Sequence, residues 1–174
     1  MHEIAHTVRE AQLEDIPLLT HIMVQSFRSA FADFVSKETM DICTNEENCY
    51  AMLRDIYQSG TMHLLIGDEA GMLVWQEQQE HQESGGFGNS SVEIVALHSL
   101  QETVGTGLGR AMMTYALDQI HQMCGDVCIF LWAFRDNTRA RRFYEKHGFT
   151  WDGSDRTSEF DGAVEVRYVR KGAV

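Results

Sequence analysis

The seven residues CIFLWAF, 128–134, are the longest uninterrupted apolar run in the chain and constrain its fold more than any other stretch. The run is far too short for the ~18 to 20 residues that cross a bilayer. With helical patterns on both sides, residues 127–133 read instead as a strand buried on both faces. Such a strand needs cover from above and below. One helix is expected over 105–122, with Leu108, Met112, Tyr115, Leu117 and Ile120 free to pack before Gly125 ends it. A second is expected over 137–147, capped by Asn137 and closed by Gly148. Short alternating segments at 92–97 (VEIVAL) and 163–169 (AVEVRYV) supply further strands. Strand, helix, strand, helix, strand fits a central sheet with helices packed on it.

Upstream, Asp15 before Ile16 and the only proline, Pro17, marks a helix start, with Ile16, Leu19, Ile22, Met23 and Phe27 at helical spacing. Thr44 with Glu47 reads as the cap of a second helix, whose stripe of Cys49, Leu53 and Ile56 stops at Gly60. Residues 62–66 and 72–76 flank a GDEAG turn and read as a hairpin. The almost wholly polar stretch 77–91 reads as a long loop or flap. At 174 residues, one domain over 1–174 is expected.

Charge narrows the function. Residues 1–100 carry 4 basic and 16 acidic side chains and residues 101–174 carry 10 of each, so all the excess of the net charge of -12 lies in the first segment. Nucleic-acid binding needs a basic footprint, and this balance argues against it. Arg135, Arg139, Arg141, Arg142 and Lys146 are the local exception: a solvated helix face, or a phosphate contact if such a ligand lies nearby. The start MHEIAHTVRE lacks the apolar core of a secretory signal, and four irregularly spaced cysteines do not form a disulfide framework. A cytoplasmic, reduced protein is expected. His121, Cys124 and Cys128 match no standard metal-ligand spacing, so no metal is expected.

The strongest chemical signal is HSLQETVGTGLGR, which places Gly105, Gly107 and Gly109 between a strand and the opening of a helix. Glycine admits close approach of a ligand, and the first helical turn offers unpaired N–H groups at the positive end of the dipole, so phosphate fits there. A tight turn with close helix packing explains the glycines equally well. A Walker loop is excluded, because Leu108, Gly109 and Arg110 stand where GK[ST] is needed. A dinucleotide fingerprint fits poorly, since GxGxG replaces GxGxxG.

Taken together, EIVALHSLQETVGTGLGRAMM and DNTRARRFYEKHGF resemble the GNAT superfamily of acetyl-CoA-dependent N-acetyltransferases. The family pattern [Q/R]xxGxG[A/G] falls on Glu102, Gly105 and Gly107; its second pattern falls on Asn137, Ala140, Tyr144, Gly148 and Phe149. The resemblance extends to the initial EDIPLL and the closing VEVRYV, nearly the whole chain. Glu102 departs from the usual glutamine or arginine, which is tolerable if its side chain points to solvent.

The resemblance implies an α/β (α+β) fold whose central, mixed, mostly antiparallel sheet is splayed into a V and flanked by helices. It implies acetyl-CoA as cofactor, with the main chain of Val95 and Leu97 pairing with the pantetheine arm. Amides of Thr103, Val104, Gly105, Thr106, Gly107, Leu108 and Gly109 would hold the pyrophosphate. Asn137 would touch the cofactor, and Arg110 or the 139–146 face would meet the 3'-phosphate. It also implies Tyr144 as the general acid and Glu93 as a base acting directly or through water. His98 and His63 are alternative bases. The acceptor would be a primary amine of a small molecule or peptide, drawn as a cation to the acidic segment, and homodimers are common in the family. An acyl-CoA sensor without activity and a nucleotide-dependent oxidoreductase stay open as rivals.

Overall fold

A computed structural model describes residues 5–78 and 91–172. Among these residues seven strands, β1 (Val8–Glu10), β2 (His63–Gly67), β3 (Gly71–Gln78), β4 (Ser91–Ser99), β5 (Cys128–Phe134), β6 (Thr150–Thr157) and β7 (Val164–Arg170), form one sheet. Five helices flank it: α1 (Ile16–Ala30), α2 (Lys37–Cys43), α3 (Glu46–Ser59), α4 (Leu108–Cys124) and α5 (Thr138–Lys146). The strand order is β1-β2-β3-β4-β5-β7-β6, and every neighbouring pair is antiparallel except β4 with β5.

Side chains alternate across the strands and so build a core on each face. Leu65, Leu73, Trp75, Val92 and Ile94 meet Met112, Met113, Ala116 and Ile120 of α4. Leu64, Ile66, Met72 and Val74 meet Ile16, Leu19 and Ile22 of α1 and Leu53 of α3. In β5, Ile129, Phe130 and Leu131 are buried in succession, as a strand covered on both sides requires. The start of α4 lies close on the β2–β3 hairpin because the sheet is bare there. A Cβ on Gly71 would stand 2.6 Å from Met112 Sδ.

Several elements differ from the sequence expectation. The cap of α3 is Asn45, whose side chain accepts from the Asn48 amide at 2.9 Å. Thr44 instead closes α2, its hydroxyl donating to the Met40 carbonyl. The helix after the glycine turn begins at Leu108 rather than Gly105 and runs to Cys124. Strand β3 continues through Glu77 and Gln78, and β4 begins at Ser91, so the polar stretch 77–91 is strand at both ends. Its middle, 79–90, lies outside the described residues.

Strands β1 and β6 and helix α2 carry no apolar period to read. Helix α2 buries no residue of its own. It is tied to the β6–β7 turn by Asp161, whose carboxylate accepts from the amide and hydroxyl of Ser36 and from the Thr39 hydroxyl. No helix among the described residues is long and apolar enough to cross a membrane.

Candidate active site

Strands β4 and β5 pair only at Ser91 with Cys128, Val92 with Ile129 and Glu93 with Phe130. Beyond that point β4 follows β3 to Ser99 and β5 follows β7, so the middle of the sheet opens into a V. The cause is local. Trp75 faces Ile94 while Val74 faces Ala96, which leaves Val95 as the extra residue of a bulge. A bulge bends its strand and raises its twist, here turning β4 away from β5. From Ile94 to Ser99 the β5-facing edge of β4 has no strand partner among the described residues. Val95 is exposed and Leu97 half-buried along that edge. Open peptide groups inside a sheet need a partner, and an extended amide-bearing ligand supplies one.

At the far end of β4 the chain makes a short 3-10 turn, Gln101–Thr103, and enters the glycine loop. The amides of Thr103, Val104 and Thr106 are used inside the loop, donating to the carbonyls of Leu100, Gln101 and Thr103. These are three of the amides expected to hold pyrophosphate, and here they brace the turn. The Leu108 amide has only a long contact, 3.5 Å, with the Thr106 hydroxyl. The N–H groups of Gly105, Gly107 and Gly109 have no partner among the described residues. Gly105 and Gly107 take φ of +87° and +101°, which turns successive peptide planes as an L side chain would resist. Three unpaired N–H groups at the positive end of a 17-residue helix fit a diphosphate. Space beside Gly105 is open, with nothing within 4 Å of where a Cβ would stand.

The charged residues around the loop sort themselves by their bonds. Glu102 is exposed in the 3-10 turn, as tolerance of an acid at that position requires. Arg110 is exposed on the first turn of α4. Arg135 pairs with Asp155 at 2.7 Å, and Arg141 donates to the Tyr168 hydroxyl. Arg139, Arg142 and Lys146 of α5 are exposed and have no partner among the described residues. Asn137 caps α5, its side-chain oxygen accepting from the Ala140 amide at 3.0 Å, which leaves its NH2 to donate to a ligand.

The two catalytic candidates flank the opening on opposite faces. Glu93 is the last β4 residue paired with β5, and it alternates with Val92 and Ile94, which face α4, so its carboxylate lies on the α1 side. One carboxylate oxygen accepts from the side-chain amides of Gln76 at 3.0 Å and Gln78 at 2.7 Å. Tyr144 lies on the α4 side, its ring 5.5 Å from Phe143, 6.2 Å from Phe149 and 6.4 Å from Tyr168. Tyr168 pairs with Leu131, the first β5 residue beyond the contact with β4. Burial pushes the Tyr144 phenol up to about 12. Its hydroxyl has no hydrogen-bond partner among the described residues. No contact joins Glu93 and Tyr144.

The alternative bases fare differently. His98 points toward α1, 3.3 Å from the Ser26 hydroxyl, and burial lowers its pKa to about 4, a weak base at neutral pH. His63 stacks on Trp75 at 3.8 Å in β2, two strands from the opening, and burial lowers its pKa too. One contact to the glycine loop has no local sequence signal. The His6 ring lies 2.6 Å from the Asp68 carboxylate through Nδ1 and 3.1 Å from the Thr106 carbonyl through Nε2.

Similar folds are known. The chain aligns over 97% of its length, and 99% of the other's, with the PaiA N-acetyltransferase of Thermoplasma acidophilum in complex with coenzyme A (TM-score 0.77, 16% identity). A GCN5-related N-acetyltransferase from Rhodopseudomonas palustris gives a TM-score of 0.74 at 19% identity, covering 98% of each chain. An acetyltransferase of the GNAT family from Streptococcus pneumoniae gives 0.70 at 16% identity, covering 97% of this chain and all of that one. At such identities these likenesses speak to fold alone. No curated protein sequence matches the chain. The sequence model of the Acetyltransferase (GNAT) family, however, matches residues 24–149, which contain α3, the bulged strand β4, the glycine loop and α5. By that match, and with a splayed sheet of the same fold, the chain belongs to the GNAT acetyltransferase family.

Proposed function

We propose that the protein is one N-acetyltransferase domain over 1–174 that transfers the acetyl group of acetyl-CoA to a primary amine. The observation that carries this reading is the loop at Gly105, Gly107 and Gly109, with three unpartnered amides at the start of α4 directly beyond the splayed edge of β4. The main chain of Val95 and Leu97 on that edge would hold the pantetheine arm, and the three glycine amides the pyrophosphate. The amides of Thr103, Val104 and Thr106 brace the turn instead. Arg110, exposed on the first turn of α4, and the side-chain NH2 of Asn137 would add contacts to the cofactor.

Acetyl-CoA supplies an activated acyl carbon and a thiolate leaving group. An amine with a pKa near ~10.4 arrives protonated and must lose a proton before it attacks. Glu93, at the apex of the V, takes that proton directly or through water, and its bonds from Gln76 and Gln78 hold the carboxylate in place. From the other face Tyr144 donates to the departing sulfur.

The acceptor side carries the acidity of the chain. Sixteen acidic against four basic side chains in residues 1–100 favour encounter with a cation, so a polyamine, an aminoglycoside or a lysine or N-terminal amine is the expected acceptor class. The reading is tested by following amine-dependent release of free thiol from acetyl-CoA across a panel of such amines. Coenzyme binding with no amine-dependent release would make the protein an acyl-CoA sensor instead.

A smaller prediction concerns the 3'-phosphate. Arg142→Glu reverses a charge with no partner among the described residues, and is expected to weaken CoA binding about tenfold by calorimetry at low salt. Dephospho-CoA, which lacks that phosphate, should lose no more than about twofold. Equal losses for both ligands would move the phosphate away from this face.

A further inference from the structure

We propose that His6, as an imidazolium, is a positioning residue for the coenzyme loop: it ties Thr106 to Asp68 and so makes coenzyme affinity fall as pH rises. The inference rests on the reading of Gly105 to Gly109 as the pyrophosphate loop.

The argument begins with the donors. A carboxylate and a carbonyl oxygen only accept, so bonds from both ring nitrogens, 2.6 Å to Asp68 and 3.1 Å to Thr106, require a proton on each. A neutral ring keeps one. The charge-assisted bond to Asp68 is the stronger, so Nδ1 retains its proton and the Nε2 lone pair turns on the Thr106 carbonyl. Thr106 lies between Gly105 and Gly107, and its carbonyl fixes the peptide plane whose N–H belongs to Gly107. Losing that bond releases one of the three unpartnered amides from its orientation.

The anchor at the other end is rigid. Asp68 and Glu69 take φ of +48° and +54° in a tight turn closed by the Ala70 amide on the Gly67 carbonyl, the geometry that favours a hairpin. The Asp68 carboxylate also accepts from the Thr7 amide at 2.8 Å. The path from the β2–β3 hairpin to the glycine loop is therefore two side chains long, Asp68 and His6.

Charged groups face the ring from each element around it. Asp68 raises the affinity for the proton from the hairpin turn, where Glu69 is its sequence neighbour. Arg110 opposes it from α4, where Asp118 lines the same groove of about 690 Å³ through which solvent reaches the ring. On the chain's own segment Arg9 is engaged with Asp15. The bond to Asp68, then that to Thr106, outweigh burial and Arg110, so the pKa of His6 lies above its usual ~6.5. The sign follows: the clamp is complete below ~6.5 and is lost as pH rises through the raised value.

The test measures CoA binding to the full chain by calorimetry from pH 6 to 9. Comparing wild type with variants cancels the coenzyme's own titrations. Wild-type affinity is expected to fall about fivefold more across this range than that of His6→Gln, whose amide reaches Thr106 without titrating. Asp68→Asn keeps a residue type that tolerates positive φ and places an NH2 against Nδ1. The ring then stays neutral with its proton on Nε2, and the pH profile flattens. Nitrogen-15 spectra of the His6 ring in the free protein are expected to show both nitrogens protonated at pH 6. Parallel pH profiles for wild type and both variants, or a neutral ring at pH 6, overturn the inference. Absence of CoA binding by wild type at every pH overturns the coenzyme reading itself, and the inference with it.

Discussion

Replacing Gly105 by aspartate is expected to raise the Kd for CoA about 100-fold or more while lowering the Tm by only about 2 to 4 °C. The backbone cost is small. Gly105 has φ of +87°, but aspartate is among the few side chains that tolerate positive φ, and its Cβ would stand in open space. About 1 kcal/mol of strain is the expected penalty. The electrostatic cost is larger. A carboxylate about 4 Å from a phosphate repels it by about 4 kcal/mol at the effective dielectric of a protein surface, more than the roughly 2.7 kcal/mol that a factor of 100 requires. It also caps the very N–H groups the ligand needs. Gly105→Asn separates the two effects, since it shares the strain but not the charge and should lose about tenfold. Calorimetry with CoA and thermal melts of the free proteins provide the check. Equal losses for the two variants would show that backbone strain, not charge at a diphosphate site, governs binding.

The glycine loop was legible because its chemistry is local: three glycines, a strand before them and a helix after them are all within a dozen residues. The buried strand β5 and helix α4 were legible for the same reason, their apolar periods being unbroken. Strand β6 was not. Its residues TWDGSDRT are almost all exposed at the edge of the sheet, so no alternation marks it. Helix α2 buries nothing and depends on Asp161, more than a hundred residues away, which no window along the chain can reveal. Thr44 and Asn45 are both good caps, but Thr44 is spent closing the preceding helix, so Asn45 and not Thr44 caps α3.

The site shows the same division. Glu93 and Tyr144 are named from a resemblance, but the opening they flank follows from a bulge at Val95 that the sequence VEIVAL does not signal. His6 had no motif at all, and its partners are 62 and 100 residues distant.

Tyr144→Phe is expected to lower kcat about 100-fold while leaving the KM for acetyl-CoA, its Kd and the Tm nearly unchanged. The structure makes this substitution unusually clean. The phenol hydroxyl has no partner to lose among the described residues, and the ring keeps its contacts with Phe143, Phe149 and Tyr168. A fall in rate would therefore report on chemistry, not on packing.

The magnitude follows from acidity. A thiol such as cysteine ionises near ~8.5, whereas burial holds Tyr144 at about 12, so complete transfer of its proton to a thiolate is uphill by roughly 3 to 4 pH units. Tyr144 then acts chiefly by donating a hydrogen bond as charge builds on sulfur, with solvent completing the protonation. This places its contribution at the low end of the ~10²- to 10⁴-fold range of general acids. It also fixes the pH profile: a phenol at about 12 stays protonated throughout pH 6 to 10, so wild type should show no alkaline loss of kcat from this group. A falling limb centred near pH 9 that vanishes in Tyr144→Phe would mean the phenol ionises far below that value. Turnover of Tyr144→Phe equal to wild type would remove the acid from this face of the sheet and leave the departing sulfur to water alone.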